Sequence, residues 1–361
     1  MQTYPIPMVP GPVSVPQEIL NAYQIDFGSG DLEPEFLDLY NRTEANLKTL
    51  LGTKETVVIE TGEGMIALWG ALKSCIQPGD RVLSIATGVF GHGIADMAKS
   101  LGAIVKTYDF PYNQTICDWE NIEKAVADFR PRMITAVHCE TPSGTLNPIA
   151  RLGEIKDRLE VPLLYVDAVA SVGGAPVLAD EWHVDLALGG SQKCLSVPPA
   201  MSFLSVSQRA WEIIEEVGYV GYDALKPFQN AQETFYFPYT PYWHGMAALN
   251  AGAEMILKEG LEQSFIRHET VAKHCRERIE AMGLSLFVEK GAVPSPTVTA
   301  VNVPENTTWN ELNAALRERG MVVGGSYGPL HEKVFRLGHM GSQANMELMN
   351  KALDVLQEVV K

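Results

Sequence analysis

The sequence predicts an α/β fold, a mainly parallel sheet with helices on both faces, followed by a smaller α+β unit. Three observations predict it. Short apolar runs alternate with amphipathic stretches of helical period through residues 56–206, the pattern of repeated strand–helix crossovers. Two of those runs end on charge, Leu163-Leu164-Tyr165-Val166-Asp167-Ala168-Val169 and Asp185-Leu186-Ala187-Leu188-Gly189-Gly190-Ser191-Gln192-Lys193. Each is bounded by Pro or Gly and reads as a strand buried on both faces. Around Pro238-Tyr239-Thr240-Pro241 the alternation stops, and two long helical patterns follow.

In chain order, Pro5, Pro7, Pro10, Pro12 and Pro16 make residues 1–16 an extended segment, because proline fixes φ and removes a donor. Residues 1–18 are therefore an N-terminal arm. Phe36, Leu37, Leu39, Tyr40 and Leu47 recur at helical spacing after Glu33-Pro34. Thr56–Glu60 is a strand, Thr61-Gly62-Glu63-Gly64 a turn, and Met65–Ser74 a helix. Strands at Arg81–Ile85, Ala103–Tyr108 and Met133–Val137 alternate with helices at His92–Leu101, Trp119–Phe129 and Leu152–Leu159. Ala200–Val206 is a further strand with an antiparallel option. Helices Trp243–Lys258 and Glu262–Met282 lead to two or three strands and two helices, the last Asn345–Val360. This divides the chain into a large domain at 19–250 and a small α+β domain at 251–361.

Net charge is −16, from 28 basic and 44 acidic residues, which disfavours nucleic acid and anionic membrane as partners. Cys75, Cys117, Cys139, Cys194 and Cys275 show no metal-ligand spacing, so no metal is expected and the thiols suit a reducing, cytoplasmic setting. Met1-Gln2-Thr3-Tyr4-Pro5 has no basic region and no long apolar stretch, and it reads as no leader. No run reaches the length of a membrane span.

In open α/β sheets chemistry sits beyond the carboxyl ends of the strands, so Asp167 and Lys193 fall in one crevice. Such a lysine is ordinarily a solvated loop residue, and such an aspartate ordinarily a helix cap. Small neighbours argue otherwise. Ala168, Ala170 and Ser171 follow the Asp, and Gly189, Gly190 and Ser191 precede the Lys, leaving room for a flat ring against the backbone. Pyridoxal chemistry needs a lysine Schiff base to the aldehyde and an acid partner for the pyridinium nitrogen.

Further motifs carry a family resemblance. They are Pro10-Gly11-Pro12, Gly88-Val89-Phe90-Gly91, His138-Cys139-Glu140-Thr141-Pro142-Ser143-Gly144, Val166-Asp167-Ala168-Val169, Ser191-Gln192-Lys193 and Phe335-Arg336-Leu337-Gly338-His339-Met340-Gly341. In this order they resemble the fold type I, class V aminotransferases of the alanine–glyoxylate and serine–pyruvate group. Asp109-Phe110-Pro111-Tyr112-Asn113, Thr141–Thr145, Gln192 and Cys194 are most similar to the pyridoxamine–pyruvate branch. In that branch, too, a Glu takes the place that Glu63 holds here, where phosphate-binding relatives keep small hydroxyl residues.

The resemblance implies a mainly parallel seven-stranded sheet plus the small domain, and a homodimer with sites at the interface. It implies Lys193 as the Schiff-base lysine and proton carrier, Asp167 at the ring nitrogen, and Phe90 stacked on one ring face with Val169 on the other. Thr141 would bond the ring hydroxyl, with Gly62, Glu63, Gly64 and Gln192 around the ring's side arm. Arg336 would clamp the substrate carboxylate, Gly11 and Tyr327 would lie beside it, and Thr240 would reach the neighbouring subunit's site. The leading expectation is pyridoxamine plus pyruvate giving pyridoxal and L-alanine, with the vitamer as substrate. The alternative is a pyridoxal 5′-phosphate enzyme passing nitrogen from alanine, serine or a ureido amino acid to glyoxylate or pyruvate. A cysteine desulfurase needs a mobile nucleophilic Cys in the second half, whereas Cys275 falls inside a helical stretch. A non-catalytic vitamer binder would not need Lys193, Asp167 and Arg336 together.

Overall fold

The computed structural model of the chain describes residues 4–361. Met1, Gln2 and Thr3, the start of the stretch read as no leader, lie outside them. The elements run β1 (Ile6–Met8), α1 (Gln17–Leu20), α2 (Pro34–Leu51), β2 (Thr56–Thr61), α3 (Gly64–Cys75), β3 (Arg81–Ala86), α4 (Val89–Ser100), β4 (Ile104–Asp109) and α5 (Trp119–Phe129). There follow β5 (Met133–Val137), the short β6 (Cys139–Glu140) and β7 (Thr145–Leu146), α6 (Ala150–Arg158), β8 (Leu163–Asp167), β9 (Leu186–Gly190), β10 (Met201–Val206) and α7 (Gln208–Val217). The last part holds α8 (Ala231–Thr234), α9 (Trp243–Glu259), α10 (Leu261–Ala281), β11 (Val298–Asn302), α11 (Trp309–Glu318), β12 (Met321–Gly325), β13 (Val334–Gly338) and α12 (Met346–Val360).

The main sheet has seven strands in the order β2-β10-β9-β8-β5-β3-β4. Pairing is parallel from β9 to β4, and β10 runs antiparallel to both β9 and β2. The predicted α/β architecture is the observed one, and the antiparallel option for the Ala200–Val206 run is realised. Every residue of β5, β8, β9 and β10 is buried, as strands covered by helices on both faces must be. One large core joins this sheet to its helices, and α9 contributes Ala248, Leu249, Ala253 and Ile256 to it. A second core gathers Met8, Val271, Cys275, Leu316, Phe335 and Leu353. The proposed division at residue 251 falls within α9.

Three local expectations are corrected. The Pro-rich arm is extended, but Ile6–Met8 forms a strand that pairs in parallel with Met321–Val323 and makes the C-terminal sheet four-stranded, β1-β12-β13-β11. Helix α4 begins at Val89 rather than His92, because its first turn is held from outside the helix. Helix α7 was not foreseen, although Ser207 caps it by accepting from Ala210 N at 3.1 Å.

Candidate active site

Asp167 closes β8, and Lys193 stands three residues beyond the end of the neighbouring β9. Both line a cavity of about 310 Å³ with Gly11, Pro12, Glu63, Met65, Phe90, Cys139, Thr141, Val169, Ala170, Gln192 and Pro199. The topology therefore delivers the two charged side chains to one crevice, as strand-end geometry requires. The arm closes it from the other side. Lys193 Nζ donates to Pro10 O at 2.6 Å, and a Cβ at Gly11 would lie 2.6 Å from Lys193 Cδ. Gly11 also holds φ +96°, so both its space and its backbone need glycine.

The electrostatics suit an amine that reacts in its neutral form. Burial lowers the Lys193 pKa, and the Arg336 charge lowers it further, against Cys139 and Asp167. Lys193 forms no ion pair among the described residues. Burial pushes the Asp167 carboxyl up to about 6; Val169 N and Lys193 pull it back and Glu63 adds to the rise. Asp167 Oδ1 accepts from Val169 N at 2.9 Å, and Oδ2 takes no donor among the described residues. A cationic ring nitrogen at that oxygen would relieve the buried charge.

Glu63 is the N-cap residue of α3, yet its side chain makes no capping bond. It accepts instead from Gln192 Nε2 at 3.0 Å, through Oε2. The carboxylate thus turns into the cavity rather than down onto its own helix. Gln192 Oε1 is buried without a partner, a polar atom that a ligand donor would satisfy. The amides of Gly64 and Met65 at the helix start find no acceptor among the described residues. A Cβ at Gly64 would lie 3.0 Å from Val169 Cγ2, so this turn and Val169 meet edge to edge.

Thr141 sits in the turn of the β6–β7 hairpin, fully buried and facing the cavity. The same turn is tied to the C-terminal sheet, because Ser326 Oγ donates to Pro142 O at 2.9 Å. Arg336, on β13, is 3% exposed and does not line the cavity directly. Its Nε donates to Gly325 O at 2.7 Å, and the ring of Tyr327 lies over the guanidinium at 4.7 Å. No carboxylate pairs with Arg336 among the described residues, which leaves its Nη groups for an incoming acid. Tyr327 is 54% exposed, an outer cover on that group.

Gly62, Gly64, Thr240, Tyr327 and Arg336 were expected at the site and do not line this cavity. Thr240 is exposed and outside the cavity of its own chain, and Gly62 holds φ +135° in the turn behind Glu63 without lining the space. His339 is a satisfied core residue, sharing Nε2 with Thr299 Oγ1 at 2.8 Å. Cys275 is wholly buried in α10. One residue was overlooked. Glu140 is fully buried, and its carboxylate accepts from Phe90 N at 3.2 Å and Gly91 N at 2.7 Å. The trace in the sequence was Gly88, where a Cβ would lie 2.6 Å from Glu140 Cδ.

Comparison with known proteins gives this geometry a family. The model of the aminotransferase class-V family matches residues 15–332. The chain belongs to the class-V aminotransferases. It is 34% identical to an uncharacterized aminotransferase of Methanocaldococcus jannaschii over 95% of this chain and 89% of the relative. It is 31% identical to the pyridoxamine–pyruvate transaminase of Mesorhizobium japonicum over 94% of this chain and 87% of that protein. The crystal structure of an alanine–glyoxylate aminotransferase from Nostoc sp. superposes with a TM-score of 0.94 at 29% identity, covering 100% of this chain and 96% of the other. Members of this family use pyridoxal phosphate. The partnerless Asp167 oxygen, the partnerless Gln192 oxygen and the Lys193 amine, which has no carboxylate partner among the described residues, fit a pyridoxal ring in this class-V aminotransferase.

Proposed function

We propose that this aminotransferase exchanges the amino group between pyridoxamine and pyruvate, giving pyridoxal and L-alanine, with the unphosphorylated vitamer as substrate. The observation that carries this reading is the direction of Glu63. A carboxylate that ignores its own helix and faces the cavity is an acceptor for a free hydroxymethyl group and a repellent for a phosphate. At about 4 Å and an effective dielectric of about 20, two unit charges repel by roughly 4 kcal/mol.

When bound, the pyridoxal ring supplies an aldehyde that can take an amine and a cationic ring that can draw electrons from the adjoining carbon. The chain's residues do the rest. Lys193, its pKa lowered by burial, would be the amine for the aldehyde and would then move the proton. Asp167 holds the ring nitrogen through Oδ2. Phe90 and Val169 take the two ring faces, and Thr141 and Gln192 take polar groups at the ring edge. Arg336 binds the keto-acid carboxylate in a planar fork, with Tyr327 excluding water above it. Thr240 and the exposed Ile25, Leu32, Val220, Tyr222 and Tyr236 support a homodimer in which Thr240 reaches the partner's site. The five free thiols fit a cytoplasmic setting.

A second reading has its own observation. The free amides of Gly64 and Met65 form an anion-ready helix start, which suits pyridoxal 5′-phosphate and an alanine, serine or ureido donor with glyoxylate or pyruvate. Half-reaction spectroscopy separates the two. Purified protein is mixed with pyridoxamine or pyridoxamine 5′-phosphate, each with pyruvate, and the aldehyde absorbance is followed. Turnover of pyridoxamine supports the first reading. A tightly copurifying phosphorylated vitamer and no pyridoxamine turnover would replace it with the second.

A further inference from the structure

We propose that Glu140 is a positioning residue that holds the Phe90 ring against the face of the bound vitamer by gripping the first amides of α4. The inference rests on the reading that this cavity binds a pyridoxal ring.

Helix α4 opens on Gly88 and has no side-chain cap of its own. Its second and third amides, Phe90 N and Gly91 N, would be orphans. Glu140 supplies the missing acceptors from another part of the chain, one oxygen to each amide, at 3.2 and 2.7 Å. A carboxylate on helix-start amides is a charge-assisted pair favoured by the helix dipole. The fit is close. A Cβ at Gly88 would lie 2.7 Å from Glu140 Oε2, and one at Gly91 would lie 3.4 Å from Oε1.

No Lys, Arg or His pairs with Glu140 among the described residues, and it is 0% exposed. A buried carboxylate without a cation is costly, and burial pushes its carboxyl up to about 7, with the two amides pulling down and Asp167 adding to the rise. A role confined to stabilising α4 would be served by a Ser at position 88, without burying a charge. The bond from Glu140 does more, because it joins Phe90 to the cavity wall. Glu140 sits in the β6–β7 hairpin next to Thr141, and Gly144 N donates to its backbone oxygen at 2.8 Å. The carboxylate therefore ties the Phe90 backbone to the same turn that presents Thr141. Face contact and edge contact to the ring are set by one rigid piece.

The test is a double-mutant cycle between Glu140→Gln and Phe90→Leu. Gln keeps the shape and one acceptor, and aims an N–H at a backbone N–H. Pyridoxamine and pyridoxamine 5′-phosphate are titrated by absorbance against wild type, both single variants and the double variant. Induced circular dichroism of the bound ring and melting temperatures are recorded beside them. The expected result for the tighter vitamer is about a tenfold loss of affinity and a reduced dichroic band from Glu140→Gln when Phe90 is present. In the Phe90→Leu background the same change should cost less than about twofold. An equal loss in both backgrounds, or a lower melting temperature with unchanged affinity, makes Glu140 purely structural and overturns the proposal. If Glu140→Gln does not fold, Glu140→Asp, which keeps the charge and shortens the reach, runs the same cycle. Failure of wild type to bind either vitamer removes the functional reading and this inference with it. Binding without coupling removes only the inference.

Discussion

Replacing Glu63 by Ala should reverse the vitamer preference, and the size of the reversal follows from the site. In wild type the Glu63 carboxylate accepts from Gln192 Nε2 at 3.0 Å and faces the cavity. A hydroxymethyl group bonded to it gains about 1.5–3 kcal/mol, the scale for a hydrogen bond to a charged acceptor. Glu63→Ala loses that from pyridoxamine. For pyridoxamine 5′-phosphate the same change removes a repulsion of roughly 4 kcal/mol per unit charge at about 4 Å and leaves the Gly64 and Met65 amides, which have no acceptor among the described residues, to the anion. Counting only about half of that repulsion, the preference moves by about 3–5 kcal/mol, or two to four orders of magnitude. Glu63→Ser should move it similarly. Gln192→Ala, which removes the donor but keeps the carboxylate, should move it far less. Absorbance titration gives both dissociation constants for each variant. A wild type that already prefers the phosphate form, or a ratio that shifts by less than about threefold, refutes the reasoning.

Other outcomes follow from the same geometry. Arg336→Lys should raise the Michaelis constant for pyruvate by about 10–150-fold, the equivalent of about 1.5–3 kcal/mol, and leave vitamer affinity within about twofold; an unchanged Michaelis constant removes Arg336 as the carboxylate clamp. Lys193→Ala should abolish turnover while the melting temperature changes by only a few degrees, read by steady-state assay and thermal scan. Glu60, on β2, is 1% exposed and neither of its carboxylate oxygens has a partner. Burial pushes it from 4.5 to about 8, with Asp223 adding and Lys73 opposing. A raised folded-state value means the native protein binds more protons than the unfolded chain between those pH values, so stability falls as pH rises from about 4.5 to about 8. At about 1.4 kcal/mol per unit, less about 2 kcal/mol at either pH for a buried Gln amide, Glu60→Gln should stabilise by about 2–3 kcal/mol at pH 8.5 and destabilise by about 1 kcal/mol at pH 5. Thermal scans at the two pH values check this, and equal shifts at both would contradict it.

Most of the architecture was readable because it is local. Buried strands such as Leu163–Asp167 and Leu186–Gly190 announce themselves by unbroken apolar runs, and their charged ends mark the crevice. What could not be read is what depends on partners far along the chain. Ile6–Met8 becomes a strand only because Met321–Val323 lies beside it. The early start of α4 and the role of Glu140 depend on bonds across 49 and 50 residues. Tyr327 and Arg336 were both named, but their stacking at 4.7 Å is a product of the β12–β13 hairpin, not of either residue type. Thr240 could not be assigned within one chain, since its expected contact lies on a second copy. The overlooked α7 is different: Ser207 ahead of a helical pattern was a legible cap.

The central claim is that Lys193 is the amine that bonds the vitamer. Wild-type protein incubated with pyridoxal, reduced with borohydride, digested and mapped by mass spectrometry tests it directly, with pyridoxal 5′-phosphate run in parallel. The expected result is one reduced adduct, on the peptide containing Lys193, formed with pyridoxal at least as readily as with its phosphate, and lost in Lys193→Ala. An adduct on a different lysine, or the same yield from Lys193→Ala, would contradict it.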